Sequence, residues 1–273
     1  MAMDIVSILI LGLVQGITEW VPVSSKTQDT AVYLALLGGN PSSVVPILLY
    51  LHIGTLVAAI IYFRKELHGM LLSLLRRPAD AHSYTDGKPG FLLAALAGTG
   101  IIGFPLLLIE KEFLPSLNGG LLFAVMGIGL LLTGLLLLRQ KSGPGMRNAG
   151  SVTWLDGLFT GLLQGLSILP GVSRAGTSAT GLIWRGFDSE SSFNLSFLLS
   201  IPTVVFAELA FYVAGGGTQS FPLLDGILLA LSSLFFGYLT LDALLKIVKK
   251  VNLAYVAFAL GFIIIAAGLF GAG

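Results

Sequence analysis

Pro22-Val23-Ser24-Ser25-Lys26-Thr27-Gln28 interrupts an apolar stretch that otherwise runs from residue 5 to residue 38. A second interruption, Pro170-Gly171-Val172-Ser173-Arg174-Ala175-Gly176-Thr177-Ser178, divides the apolar stretch 153–184. Each arm is too short to cross the roughly 30 Å of a bilayer's hydrocarbon core at about 1.5 Å per helical residue. Polar, proline-containing backbone at that depth is tolerated only under a cover of protein or in a wet cavity. Both stretches therefore read as re-entrant helical hairpins. Around them lie six unbroken apolar runs long enough to span, at approximately 43–63, 90–109, 119–138, 193–213, 223–243 and 251–270. The expected fold is an all-α polytopic membrane protein of six transmembrane helices plus two re-entrant hairpins.

Composition points the same way. Of 273 residues 55% are hydrophobic and only 11% charged, against about 25% charged in soluble domains. That excludes a soluble globular domain and a disordered chain, while the length of the apolar runs excludes a β-barrel. A net charge of +1 with no basic block offers no nucleic-acid surface. With no cysteine there is no thiolate nucleophile, disulfide or Cys-type metal site. The first apolar run lacks a basic leader and a small-residue cleavage site, so it reads as part of the fold rather than a signal peptide. No Gly-rich loop ends in Lys-Ser or Lys-Thr, which argues against an ATP-driven pump.

Basic residues set the expected orientation. Arg64, Lys65, Arg76, Arg77, Lys88, Arg139, Lys141, Arg147, Arg185, Lys246, Lys249 and Lys250 fall on one side if the six runs alternate, and only Lys111 falls on the other. That makes a multi-pass plasma-membrane protein with basic loops in the cytoplasm and both termini outside. The remaining two, Lys26 and Arg174, sit at the hairpin tips. Residues 76–90, rich in Pro, Asp and Gly, read as a mobile cytoplasmic loop.

The halves also match each other. A shift of 149 pairs Gly12-Leu13-Val14-Gln15-Gly16 with Gly161-Leu162-Leu163-Gln164-Gly165, a shift of 148 pairs Ile53 and Thr55 with Ile201 and Thr203, and a shift of 134 pairs Gly127 and Gly134 with Gly261 and Gly268. Within the single membrane domain 1–273, residues 1–140 (hairpin 5–38 plus three runs) and 150–273 (hairpin 153–184 plus three runs) then form two repeats. Three spans being an odd number, the second copy inserts upside down. Inverted repeats of this kind place their site near the bilayer midplane, where the two tips can meet.

Ionisable groups within a membrane are costly and make default functional candidates: Glu19, Lys26, His52, Arg174 and Glu208. One reading is mutual pairing that holds the hairpins in place. The other is an anion site. Arg174 offers a planar fork to phosphate oxygens, hydroxyls of Ser24, Ser25, Ser173, Thr177 and Ser178 can donate beside it, and helices starting after each tip aim free N–H groups at the same place. N-capping by those hydroxyls is compatible with this use. Glu19, four residues after Gln15 on the same helical face, suits either a base or a holder of a divalent cation. His52, the lone histidine within a span, reads as a packing residue or as part of the chemistry. Glu208 is expected to support the repeat interface, Asp29 to cap the helix after the first tip, Asp156 to be interfacial, and Trp20, Trp154 and Trp184 to lie in an aromatic belt. The Gly127 to Gly134 spacing reads as close helix packing.

Gln15-Gly16-Ile17-Thr18-Glu19-Trp20-Val21-Pro22-Val23-Ser24-Ser25 closely resembles the first signature of the undecaprenyl-diphosphatase family linked to bacitracin resistance. Pro170 to Ser178 resembles its second, and His52-Ile53-Gly54-Thr55 with Tyr62-Phe63-Arg64 is similar to its first full span. The resemblance implies a membrane enzyme that removes the terminal phosphate of a polyprenyl diphosphate to regenerate the lipid monophosphate carrier. It implies a site of Gln15, Glu19, Ser25, Ser173 and Arg174 assisted by a divalent cation, Mg²⁺ or Ca²⁺, with Glu19 as metal ligand and Ser25 as nucleophile. The expected partners are the polyprenyl diphosphate lipid, the bilayer and, as an alternative to the monomer, a homodimer copy; no nucleic acid is among them. Family members usually continue from Ser-Ser with a small residue, Gly and His. This chain has Lys26, Thr27 and Gln28 instead, and glutamine accepts no proton at neutral pH. Either Glu19 with His52 serves as base and Lys26 adds neutralisation of phosphate charge, or the chain is a polyprenyl-phosphate flippase using the same site.

Overall fold

The computed structural model describes residues 3–76, 87–113, 117, 119–138, 146–213, 221–247 and 250–270. Among these residues the only β-type pairing is an isolated bridge between Arg147 and Phe187. Everything else regular is helix.

Both interrupted stretches fold as pairs of short helices. The first is α1 (Ile5–Thr18), capped by Asp4 accepting from the Ser7 amide, then α2 (Ser25–Ala31), which runs into a π turn over Val32–Leu36. The second is α7 (Trp154–Gly165) with a 3-10 turn over Leu166–Ile168, then α8 (Arg174–Trp184). Six long helices carry the rest: α3 (Val44–Tyr62), α5 (Gly87–Phe113), α6 (Gly119–Leu137), α9 (Ser189–Val213), α10 (Leu223–Ile247) and α11 (Ala254–Phe270). Five of them are long and apolar enough to cross a membrane; α11 has 17 residues, about 26 Å at 1.5 Å each. An eleventh helix, α4 (Arg64–Arg76), has no counterpart in the sequence reading. Its Leu67 and Met70 pack against the central core. Part of the expected loop 76–90 is thus helical at both ends, and residues 77–86 lie outside the described residues.

Each hairpin begins and ends at one place. Ile8 near the start of α1 shares a hydrophobic cluster with Tyr33, Leu34 and Leu37 at the far end of the first pair. In the second pair Asp156, in the first turn of α7, accepts from Arg185 Nε just beyond α8 at 2.7 Å, and Arg147 donates both to Asp156 and to the Arg185 carbonyl. Asp156 is fully buried within the protein.

Small residues let the hairpin arms lie directly on long helices. A Cβ added to Gly16 would stand 2.6 Å from the Gly237 amide of α10, and one on Gly161 would stand 2.1 Å from the Ala95 carbonyl of α5. At Gly127 a Cβ would meet Ile265 at 2.5 Å, so the expected glycine packing joins α6 to α11. The core lies between the hairpins: Trp20, Ala175, Ala179, Phe197 and Leu241 bury against one another. Trp20 is therefore a core residue, 1% exposed, donating to the Gly237 carbonyl at 3.1 Å; Trp154 and Trp184 stay exposed as a belt requires. Phe235, Ile101 and Ile263 turn outward. Glu208 is half-buried on α9.

Candidate functional site at the hairpin tips

The two tips meet. A Cβ on Gly176 of α8 would lie 3.2 Å from Pro22 Cβ of the first tip, and Arg174 Nη2 donates to Glu19 Oε1 across the junction. Two local features shape the tips. Gly171 takes φ +83°, and a Cβ added there would collide with the Met126 carbonyl. Ser24 takes the left-handed conformation without being glycine, at φ 56° and ψ 89°, a strain that persists only where the surroundings impose it.

Glu19 is the hub. Its Oε2 accepts from Ser25 Oγ at 2.7 Å and from Gln15 Nε2 at 3.2 Å, and His52 Nε2 stands 3.7 Å away. His52 Nδ1 is 2.6 Å from the Leu48 carbonyl, which can only accept, so that nitrogen carries a proton and Nε2 is left facing Glu19. Gln15 also donates to Thr55 Oγ1 at 3.2 Å. The bond recurs in the other half, where Gln164 Nε2 donates to Thr203 Oγ1 at 3.0 Å. Ser173 caps α8 by accepting from the Gly176 amide at 3.2 Å, and its own amide donates to Thr133 Oγ1 at 3.0 Å.

Gln15, Glu19, Ser25, His52 and Arg174 thus form one buried group, with Ser24 and Ser173 at the turns beside it. The other residues singled out in sequence point elsewhere. Thr177 Oγ1 donates back to the Ser173 and Arg174 carbonyls, and Ser178 Oγ to the Arg174 carbonyl at 2.8 Å, as hydroxyls within helices commonly do. Gln28 Nε2 donates to the Val23 carbonyl at 3.0 Å and ties down the tip. Lys26 is exposed, within Coulombic reach of Glu110. Asp29 caps nothing: it sits within α2, 1% exposed. Thr55 and Thr133, which position Gln15 and Ser173, are not among the site residues the sequence marks; for Thr55 the signals are its pairing with Thr203 in the repeat and its place in the His52-Ile53-Gly54-Thr55 stretch.

Several polar atoms at this junction are buried without a hydrogen-bond partner: Arg174 Nη1, Gln15 Oε1 and both carboxylate oxygens of Asp29. An unpaired buried donor or charge is costly, which makes these atoms candidates to meet a ligand. Among the described residues no cluster of three or more His, Cys, Asp or Glu gathers, so a cation here would rest on fewer carboxylates plus neutral oxygens.

Comparison with known proteins assigns nearly the whole chain to one family. Residues 8–268 match the family described as bacitracin resistance protein BacA. The chain is 36% identical over 258 residues to an undecaprenyl-diphosphatase of Methanococcoides burtonii, covering 93% of this chain and 94% of that protein. A Haloarcula marismortui protein of the same name is 36% identical over 261 residues, 96% of each chain. One from Saccharolobus islandicus is 41% identical over 198 residues, 72% of this chain and 69% of that one. With the match running through both hairpins and all six long helices, the chain belongs to the bacitracin resistance protein BacA family.

Proposed function

We propose that this chain is an integral-membrane polyprenyl diphosphate phosphatase that releases the terminal phosphate and leaves the lipid monophosphate carrier. The observation that carries it is Ser25 Oγ held at 2.7 Å by a carboxylate that also binds Arg174, whose other guanidinium nitrogen is buried and open. Ser25 Oγ attacks the terminal phosphorus, Glu19 takes the hydroxyl proton, and the bond to the bridging oxygen breaks as the lipid monophosphate leaves. Arg174 Nη1 receives the phosphate oxygens and stabilises charge that builds in the transition state. Glu19 passes that proton to the departing phosphate; water then attacks the seryl phosphate at phosphorus, Glu19 accepting the water's proton and returning it to Ser25 Oγ as the serine oxygen leaves, with His52 Nε2 within reach of that carboxylate. A divalent cation, Mg²⁺ or Ca²⁺, bound at Glu19 with Gln15 Oε1 as a neutral donor would neutralise diphosphate charge. The carrier alternative has no comparable support, since carriage does not require a hydroxyl poised on a base.

In this reading α3, α5, α6, α9, α10 and α11 span, the two short pairs are re-entrant, and the halves form inverted repeats. The return of each hairpin to its point of entry and the Gln15–Thr55 and Gln164–Thr203 bonds support it. Basic loops are cytoplasmic and both termini lie outside. The test is phosphate release from a polyprenyl diphosphate by purified protein in detergent, with Mg²⁺, with Ca²⁺ and with chelator. Cation-dependent release that vanishes in Ser25→Ala and Arg174→Ala is expected. Release that persists in Ser25→Ala would remove the serine mechanism, and intact lipid under every condition would remove the phosphatase.

A further inference from the structure

We infer that Asp29, together with Glu19 and Gln15 Oε1, is a ligand of a hard divalent cation, a role that neither the family signature nor the reading above assigns to it. The inference extends the proposed phosphatase site but rests on Asp29's own surroundings. The side chain is 1% exposed, and neither carboxylate oxygen has a hydrogen-bond partner. Burying an unpaired carboxylate is among the costliest choices a fold can make.

Three things could satisfy it. A basic side chain does not: Lys26, three residues earlier, is exposed and faces Glu110, and Arg174 pairs with Glu19. A proton satisfies it only in part, because it removes the charge but leaves the carbonyl oxygen of the acid, which no donor among the described residues reaches, unpaired. A multivalent cation satisfies both oxygens and also offsets the repulsion between Asp29 and Glu19, which lie within Coulombic reach.

Position agrees with that role. Asp29 lies four residues after Ser25 on α2, so the two share a helical face, and Ser25 Oγ is the group on Glu19. Gln15 Nε2 on the same carboxylate brings its unpaired Oε1 to the junction. Glu19 Oε1 accepts from Arg174 and keeps a second lone pair. Two carboxylates and an amide oxygen are hard donors that suit Mg²⁺, Mn²⁺ or Ca²⁺, which complete their shells with water or substrate phosphate.

The experiment titrates Mn²⁺ into the purified full chain in detergent by calorimetry, with and without methylenediphosphonate, for wild type and Asp29→Asn. Wild type should bind, and Asp29→Asn should bind roughly 10- to 100-fold more weakly, while its metal-free melting temperature equals or exceeds that of wild type. Equal affinities, or no binding by wild type with or without the diphosphonate, overturn the inference. Should the variant fail to fold, anomalous scattering from Mn²⁺ in wild-type crystals decides: the ion must lie within direct coordination distance of an Asp29 oxygen, roughly 2.0–2.6 Å. An ion elsewhere overturns it. Phosphate release measured on the same preparations separates the two claims. Asp29-dependent binding without release keeps the cation site and removes the phosphatase, whereas release with binding indifferent to Asp29 removes only the cation site.

Discussion

Glu19 holds Arg174 on one oxygen and Ser25 and Gln15 on the other, so in the proposed mechanism a single carboxylate both orients the phosphate-binding fork and poises the nucleophile. Arg174 can serve Glu19 and a phosphate at once because its guanidinium has two ends; an ammonium is a single point charge. Arg174→Lys should therefore lower kcat/KM for phosphate release by roughly 10²- to 10³-fold. Near-normal turnover would mean that the free nitrogen does not meet the phosphate. Gln28 gives the contrasting expectation. Its amide ties to the Val23 carbonyl, a bond that a histidine N–H can also donate, so Gln28→His should keep or raise turnover under the same assay. Complete loss of activity in a folded Gln28→His protein would show that the tip is built around the glutamine. These residues divide by how legible they were. Glu19, Ser25 and Arg174 were readable because a charge or a signature marked them; Asp29 was read as a cap because burial, which removes the caps and solvent that sequence assumes, is a tertiary fact.

At the scale of elements, the second hairpin is anchored where it enters. Asp156 closes a capping box with Thr153 and binds Arg147 and Arg185, so one buried carboxylate fixes the start of α7, the end of α8 and the preceding segment. Burial alone would raise its pKa, but hydrogen bonds from Arg147, Arg185 and Thr153 outweigh that and hold it at about 2, below the usual 3.8. A depressed carboxylate contributes its stability above the unfolded value and loses it as pH falls through the folded one. Acid unfolding in detergent should thus show the protein losing about 2 kcal/mol between roughly pH 4 and pH 2, a loss missing from Asp156→Asn. That variant should be about 2 kcal/mol less stable at neutral pH, because it removes the charge that both arginines pair with, while the arginines themselves, at 32% and 39% exposure, keep access to water. An unchanged denaturation midpoint would make the clamp incidental. The sequence placed Asp156 at a membrane interface from its position near a hairpin end, and its partners come from 9 residues before and 29 after, separations that no local pattern reveals.

For the molecule as a whole, the six apolar runs and the two interruptions were legible as helices and breaks because hydrocarbon forces every exposed backbone group into a helix, leaving apolar length as a direct readout. α4 escaped because its mixed polarity leaves no apolar run to find, although Leu67 and Met70 dock on the core. What remains is sidedness, and here the chain's lack of cysteine gives a clean background. If the halves insert in opposite senses, the exposed loop before α3 and the exposed segment before α7 face opposite compartments, because three spans separate them. Ser42→Cys in intact cells should react with a membrane-impermeant maleimide, whereas Ser151→Cys should react only after permeabilisation; both positions are exposed in the folded chain. Labelling of both from the same side would require an even number of crossings between residues 42 and 151. That would break the inverted arrangement and, with it, the reason for two oppositely entering hairpins to meet tip to tip.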